Sequence, residues 1–149
     1  MKILFICKGN VGRSQIAEAL FRKMTNNKVD VISAGTKLSG PEQPIGELMP
    51  QIKEVLDVMN EEGVDISKSV RKQLTEKMVE DSDKVIAIIE DDEVLPDYLI
   101  KSSKLVRWNV PDPKGKELEF TRKTRDQIKA YIQDLLKTAG CSSCFEIIH

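Results

Sequence analysis

The chain has 149 residues, with 23 basic side chains against 24 acidic ones, a net charge of −1 and a pI near 5.9. That length suits one domain with a sizeable core. The balanced charge offers no basic surplus for nucleic acid, no apolar run approaches a membrane span, and the N-terminus reads as one basic residue and a short strand rather than a secretory leader; the expectation is a cytoplasmic protein with neither nucleic acid nor membrane as partner.

In chain order, Lys2–Ile6 is short and apolar and predicts a buried strand. The stretch Cys7-Lys8-Gly9-Asn10-Val11-Gly12-Arg13-Ser14 follows, and then a helical pattern that sets Ile16, Ala19, Leu20 and Met24 on one face and stops at Asn26-Asn27. Val29–Ser33 predicts a second strand. Residues 36–50 hold Gly40, Pro41, Pro44, Gly46 and Pro50 and predict a loop that rims the site. Ile52, Val55, Leu56 and Met59 form the next helical stripe, closed by Gly63, and residues 74–80 predict a short helix. Lys84–Ile89 and Leu105–Trp108 predict the third and fourth strands. A last helix over 119–138 turns Ile128, Tyr131, Ile132, Leu135 and Leu136 inward, with Gly140 beyond its end. Alternation of strand and helix predicts an α/β fold, a parallel sheet covered on both faces, with the loop after strand 1 at the carboxyl end where such folds bind ligands. Residues 1–139 are expected to form the domain and 140–149 a tail.

The first loop is the most informative segment. A short turn between strand and helix points successive N–H groups inward as an anion nest, and the helix N-terminus adds free donors and partial positive charge. Gly9 and Gly12 permit tight turns; Asn10 tolerates a left-handed backbone, and its amide can tie the loop together. Arg13 brings a planar fork that grips two oxygens at once. Cys7, at the focus of this field, is expected to ionise readily and act as nucleophile. Ser14 can donate to the sulfur and ease its departure, and Lys8 faces the mouth. The expected substrate-binding set is therefore Lys8, Gly9, Asn10, Val11, Gly12, Arg13 and Ser14. Cys-x5-Arg alone is a weak signal; the flanking strand and helix, the glycines and the serine strengthen it, against the plainer reading of a buried cysteine in a βα turn. The loop lacks the Gly-x4-Gly-Lys-Ser/Thr order that binds nucleoside triphosphates.

These residues, with Ser33-Ala34-Gly35-Thr36, Gly63-Val64-Asp65-Ile66-Ser67, Asp83-Lys84-Val85-Ile86 and Trp108-Asn109-Val110-Pro111-Asp112-Pro113, resemble the low-molecular-weight protein tyrosine phosphatases and the thioredoxin-coupled arsenate reductases, which share one fold. The resemblance covers about residues 1–138. It implies a three-layer α/β architecture with a four-stranded parallel sheet and Asp112 folded over the loop. Asp112 also makes chemical sense by itself: one carboxyl group can protonate a leaving oxygen and then activate the water that clears a phosphocysteine. Pro113 restricts its backbone to extended conformations, though Asp-Pro is equally an ordinary turn pair. Cys7, Arg13 and Asp112 are thus the expected catalytic residues, with no cofactor and no metal required.

Two enzymatic readings follow. One is a phosphomonoester hydrolase acting on a phosphorylated protein or small phosphomonoester through a phosphocysteine. The other is an arsenate reductase, in which arsenate enters the same cradle and a second thiol, with thioredoxin or a similar donor, completes the cycle. A non-catalytic oxyanion- or phosphoprotein-binding module is a third, opposed by the intact Cys7, Arg13 and Asp112. The chain departs from both enzyme patterns: Gly12 stands where family phosphatases carry a second loop cysteine, Lys114-Gly115 where they often have tyrosines, and Glu90-Asp91-Asp92 in the region after the third strand where the reductases carry a resolving pair of cysteines. The remaining cysteines, Cys141 and Cys144, form Cys-Ser-Ser-Cys in the tail and read as a resolving dithiol, as half of a zinc site with His149, or as incidental thiols. Trp108 reads as core at a strand end or as wall for an aromatic substrate, and Tyr98 as mouth or helix packing. Glu90-Asp91-Asp92-Glu93 reads as a solvated helix start, with cation binding as the other possibility.

Overall fold

A computed structural model describes residues 1–138. In chain order the elements are β1 (Lys2–Cys7), α1 (Arg13–Met24), β2 (Asp30–Gly35), a 3-10 turn (Ile45–Leu48), α2 (Lys53–Glu61), α3 (Glu76–Asp81), β3 (Lys84–Ile89), α4 (Asp97–Ile100), β4 (Leu105–Asn109) and α5 (Leu118–Thr138). The strands form one parallel sheet in the order β2-β1-β3-β4. The third strand falls where the sequence puts it. β2 starts one residue later than the expected Val29–Ser33 and runs two residues further, to Gly35, and the 74–80 segment starts its helix only at Glu76, because Thr75 is the cap: its side chain accepts from the Met78 N–H.

Both faces of the sheet are covered, which is why β1 and β3 are unbroken apolar runs rather than alternating ones. Ile3, Phe5, Ile86 and Ile88 turn to a core shared with Ile16, Leu20 and Phe21 of α1, Val55 and Met59 of α2, and Ile128 and Ile132 of α5. Leu4, Ile6, Val85 and Ala87 turn to the opposite core, closed by Val79 of α3 and Leu99 of α4. Trp108 belongs to the first core. It stacks on Tyr131 at 4.9 Å and tilts against Phe5 at 5.7 Å, so its ring is structural and does not wall a pocket. Phe5 is fully buried between Trp108 and Phe21, where truncation to alanine costs about 3–5 kcal/mol. Tyr98 packs on the second core, the helix-packing alternative.

An ion-pair set clamps α2 to α5. Glu61 accepts from Arg122 and Arg125, whose hydrogen bonds hold its carboxyl down at about 2, and Lys129 reaches Glu62 at 2.8 Å. Among the described residues no helix is long and apolar enough to cross a membrane. The tail thiols Cys141 and Cys144, and the Gly140 helix stop, lie outside the described residues.

Candidate active site

Strand order decides what meets at the site. β1 lies between β2 and β3, so the chain leaves β1 toward one side of the sheet and returns through β3 on the other. The loops after β1 and β3 therefore diverge and open a crevice at the carboxyl end. The loop after β1, residues 8–12, fills it.

Cys7 is the last residue of β1 and Arg13 the first of α1. The helix begins at once, with the Ile16 N–H donating to the Gly12 carbonyl at 2.9 Å. Asn10 sits at φ 54°, a left-handed conformation that asparagine adopts more readily than most residues. That turn aims the Asn10 N–H at Cys7 Sγ, 3.3 Å away. Ser14 Oγ is 2.9 Å from the same sulfur. Asn10 Nδ2 donates to Ser14 Oγ at 2.7 Å and to Ser33 Oγ at 2.9 Å, while Asn10 Oδ1 accepts from the Lys72 N–H at 2.9 Å and from Gln15 Nε2 at 3.3 Å. Because Ser14 Oγ already accepts from Asn10, its own proton is free for the sulfur. A thiolate at Cys7 would thus receive two donors in a buried setting, and charge-assisted bonds of this kind are the strong ones. Asn10 is the hub of the loop, fully buried with every amide atom engaged. Its tie to the loop is local and readable from sequence. Ser33 and Gln15, which complete the network, were not singled out as site residues; Ser33 reads as an ordinary strand position, and only its register beside Phe5 in β1 carries it to the loop.

Gly35 seats the loop from the β2 side. It pairs in register with Cys7, and the next two residues continue the ladder, Thr36 N–H to the Cys7 carbonyl at 2.9 Å and Lys37 N–H to the Lys8 carbonyl at 3.0 Å. A Cβ at Gly35 would stand 2.6 Å from the Lys8 carbonyl oxygen and 3.0 Å from the Asn10 nitrogen, both backbone atoms. Relieving such a clash displaces the loop. Gly35→Ala is expected to cost about 1–3 kcal/mol of stability and to cut turnover at least about tenfold, read by thermal unfolding and steady-state kinetics. Wild-type turnover in that variant would show that the loop tolerates the shift.

Arg13 is 2 % exposed in its side chain. Its Nη1 donates to Glu93 Oε2 at 2.7 Å and to the Val110 carbonyl at 3.1 Å, and its Nη2 donates to Glu93 Oε1 at 2.9 Å. Burial works against the guanidinium charge. The hydrogen bonds to Glu93 and the negative charges of Cys7, Glu93 and Asp112 outweigh it and raise the Arg13 pKa. Burial likewise opposes ionisation of Glu93, yet Arg13 and the Glu90 N–H hold its carboxyl below the usual range. This corrects the expectation for the acidic run. Glu90–Glu93 is a turn and not a helix start, α4 begins only at Asp97, and Glu93 is withdrawn from solvent onto Arg13. Among the described residues no cluster of three or more His, Cys, Asp or Glu side chains is placed to hold a metal ion.

Asp112 arrives from the loop after β4. Val110 is buried and its N–H donates to the Ile89 carbonyl, which anchors that loop beside β3. Asp112 Oδ1 accepts from the Lys114 N–H at 2.9 Å, a turn closed by its own side chain, and Oδ2 stands 3.8 Å from Arg13 Nη2. The carboxyl group is 44 % exposed, so it can reach both a bound group and water. A Cβ built at Gly12 would lie 3.8 Å from Pro113 Cγ, which places the Asp-Pro loop against the turn that precedes α1. The structure thus brings Cys7, Asn10, Arg13, Ser14 and Asp112 to one place. Lys8 is exposed at the rim, and Gly9, Val11 and Gly12 are half-buried along the loop.

A buried cysteine and arginine on the first βα loop of a parallel α/β sheet, with an Asp-Pro loop opposite, form an arrangement that can hold a tetrahedral oxyanion beside a thiol. The sequence profile described as low molecular weight phosphotyrosine protein phosphatase matches residues 2–142, and the chain belongs to that family. Among its relatives, an arsenate reductase 2 of Staphylococcus epidermidis is 30% identical over 131 residues, covering 88% of this chain and 92% of the relative. A low molecular weight protein tyrosine phosphatase from T. tengcongensis superposes with a TM-score of 0.75 at 28% identity, covering 93% of this chain and 99% of that one. An arsenate reductase in a phosphate-binding state gives 0.72 at 27% identity, covering 92% and 97%. The family is one of enzymes, and it joins the two chemistries that the sequence left side by side.

Proposed function

We propose that the protein hydrolyses phosphomonoesters through a phosphocysteine intermediate. One observation carries the reading: Cys7 Sγ lies within hydrogen-bond reach of the Asn10 N–H and Ser14 Oγ, with the Arg13 guanidinium and the Asp112 carboxyl in the same crevice. Arg13 and the loop N–H groups hold the phosphoryl oxygens. Cys7 attacks phosphorus; the S–P bond forms as the bond to the leaving oxygen breaks, and Asp112 gives that oxygen its proton. Water then gives a proton to Asp112 and attacks phosphorus, the S–P bond breaks, and the thiolate and inorganic phosphate are restored. Ser14 stabilises the sulfur as it leaves. Charge develops on the oxygens in both steps, where preorganised donors act most strongly. The substrate is a phosphorylated protein or a small phosphomonoester.

Asp112→Asn tests the division of labour. It is expected to lower kcat/KM, which reports the step that expels the leaving group, by about 10²–10⁴-fold on alkyl phosphates, whose leaving oxygen needs the proton, and much less on p-nitrophenyl phosphate. Equal losses on both would remove Asp112 as the acid.

Arsenate reduction is the second reading, favoured by the Staphylococcus epidermidis relative and by the isosterism of arsenate with phosphate. It would need a thiol to attack after Cys7 has bonded to arsenic. Cys7 is the only cysteine among the described residues, and the turn after β3 presents carboxylates instead. The candidates are Cys141 and Cys144, or a separate donor such as thioredoxin. Side-by-side assays separate the readings: p-nitrophenyl phosphate hydrolysis, and thioredoxin-coupled arsenate reduction, each with wild type and with Cys141→Ser/Cys144→Ser. Hydrolysis unaffected by the double change supports the phosphatase. Reduction that the double change abolishes supports the reductase.

A further inference from the structure

Glu93 plays no part in the chemistry derived above, yet it makes the most specific contact in the crevice. An arginine offers two edges for bidentate binding: the end, Nη1 with Nη2, and the side, Nε with Nη2. Glu93 takes the end edge with both oxygens, at 2.7 and 2.9 Å. The Val110 carbonyl takes the second Nη1 hydrogen at 3.1 Å, so Nη1 is fully used. Nε makes no hydrogen bond among the described residues, and Nη2 keeps one hydrogen beyond its bond to Glu93. The side edge is what remains for two oxygens of a tetrahedral anion. The clamp is itself anchored, because the Glu90 N–H donates to Glu93 Oε2 across the turn that follows β3. A carboxylate 16 % exposed is held from behind and holds the guanidinium in front.

We propose that Glu93 is a positioning residue, which fixes the plane of the Arg13 guanidinium so that its Nε–Nη2 edge faces the phosphoryl oxygens. The assignment rests on the phosphatase reading of the crevice. It locates the residue on the loop after β3, across the switch point from the Cys7 loop, where the topology brings one acidic side chain to the arginine. A free arginine side chain samples many rotamers, and ordering it during the reaction would raise the barrier. Glu93 orders it beforehand.

The test compares wild type, Glu93→Ala, Glu93→Gln and Glu93→Asp for p-nitrophenyl phosphate kinetics, for thermal unfolding, and for the phosphate concentration that half-protects Cys7 from iodoacetate. The proposal expects Glu93→Ala and Glu93→Gln to lower kcat by about 10–100-fold, with KM changed less than about fivefold, and Glu93→Asp to recover part of the loss. It expects the half-protecting phosphate concentration to rise in Glu93→Ala. In an Arg13→Lys background that concentration should move less than about twofold on adding Glu93→Ala, since the clamp acts only through the arginine. A lower melting temperature with unchanged kcat and unchanged protection would make Glu93 a strut of its own turn. Protection at lower phosphate, with kcat maintained, would make it a competitor of the oxyanion. Either result overturns the proposal. If wild type hydrolyses nothing, the phosphatase reading fails by itself, and phosphate protection still decides the role of Glu93.

Discussion

Cys7→Ser is expected to abolish turnover of p-nitrophenyl phosphate, by about 10⁴-fold or more, while phosphate still binds. The reasoning starts from the cradle. The loop N–H groups and Arg13 are placed by the φ 54° turn at Asn10, by the hub bonds to Ser14, Ser33 and Lys72, and by the seat on Gly35. None of those contacts uses the sulfur as the thing that holds the loop. A serine hydroxyl is smaller, and it keeps a partner in Ser14 Oγ. The anion site therefore survives the change, and only the nucleophile is lost, because a serine hydroxyl needs a base and no histidine lies among the described residues. Two measurements check this: steady-state hydrolysis, and phosphate binding by calorimetry. Residual hydrolysis near the wild-type rate would assign the chemistry to another group. Loss of phosphate binding along with activity would mean that the sulfur organises the loop.

How far the sequence foretold this site depends on the distance along the chain between partners. Cys7, Asn10, Arg13 and Ser14 lie within eight residues, and one strand-turn-helix geometry brings them together, so residue types and spacing are enough to read the cradle. The fold was legible for a similar reason: β1 and β3 are continuous apolar runs, and α5 repeats its buried positions at helical spacing. Asp112 was legible because two prolines frame an acid and because the resemblance supplied its place. Glu93 was not. Its role depends on β3 lying beside β1, 80 residues away in sequence, and locally it is one of four consecutive acids of which Asp91 and Asp92 stay exposed. A strand-order argument could have found it, since the residues just beyond β3 must face the crevice at the switch point. Ser33 stood in a motif that carried the resemblance, but its bond to Asn10 depends on a register that no local pattern encodes.

Arg13→Lys should show how much of the site is geometry and how much is charge. The substitution keeps a cation and removes the planar fork. Lysine has one nitrogen where the guanidinium joins Glu93, the Val110 carbonyl and the oxyanion side of the crevice. It cannot hold Glu93 through both oxygens and still offer two parallel donors to a phosphoryl group. Kcat/KM is therefore expected to fall about 10³-fold, most of it in kcat, because the lost contacts strengthen as charge builds on the oxygens. Stability should fall as well, by about 1–3 kcal/mol at neutral pH, since breaking a buried pair leaves Glu93 short of its partner. The pH dependence of that loss has a definite sign. Glu93 has a depressed pKa in the folded protein, so its pairing contributes above the ordinary carboxylate range and is lost as pH falls through the folded value. The gap in melting temperature between wild type and Arg13→Lys should accordingly narrow on acidification. A gap that held constant from neutral pH into the acid range would mean that the Glu93 pairing contributes nothing to the fold, and a kcat/KM within tenfold of wild type would mean that a point charge suffices at this position.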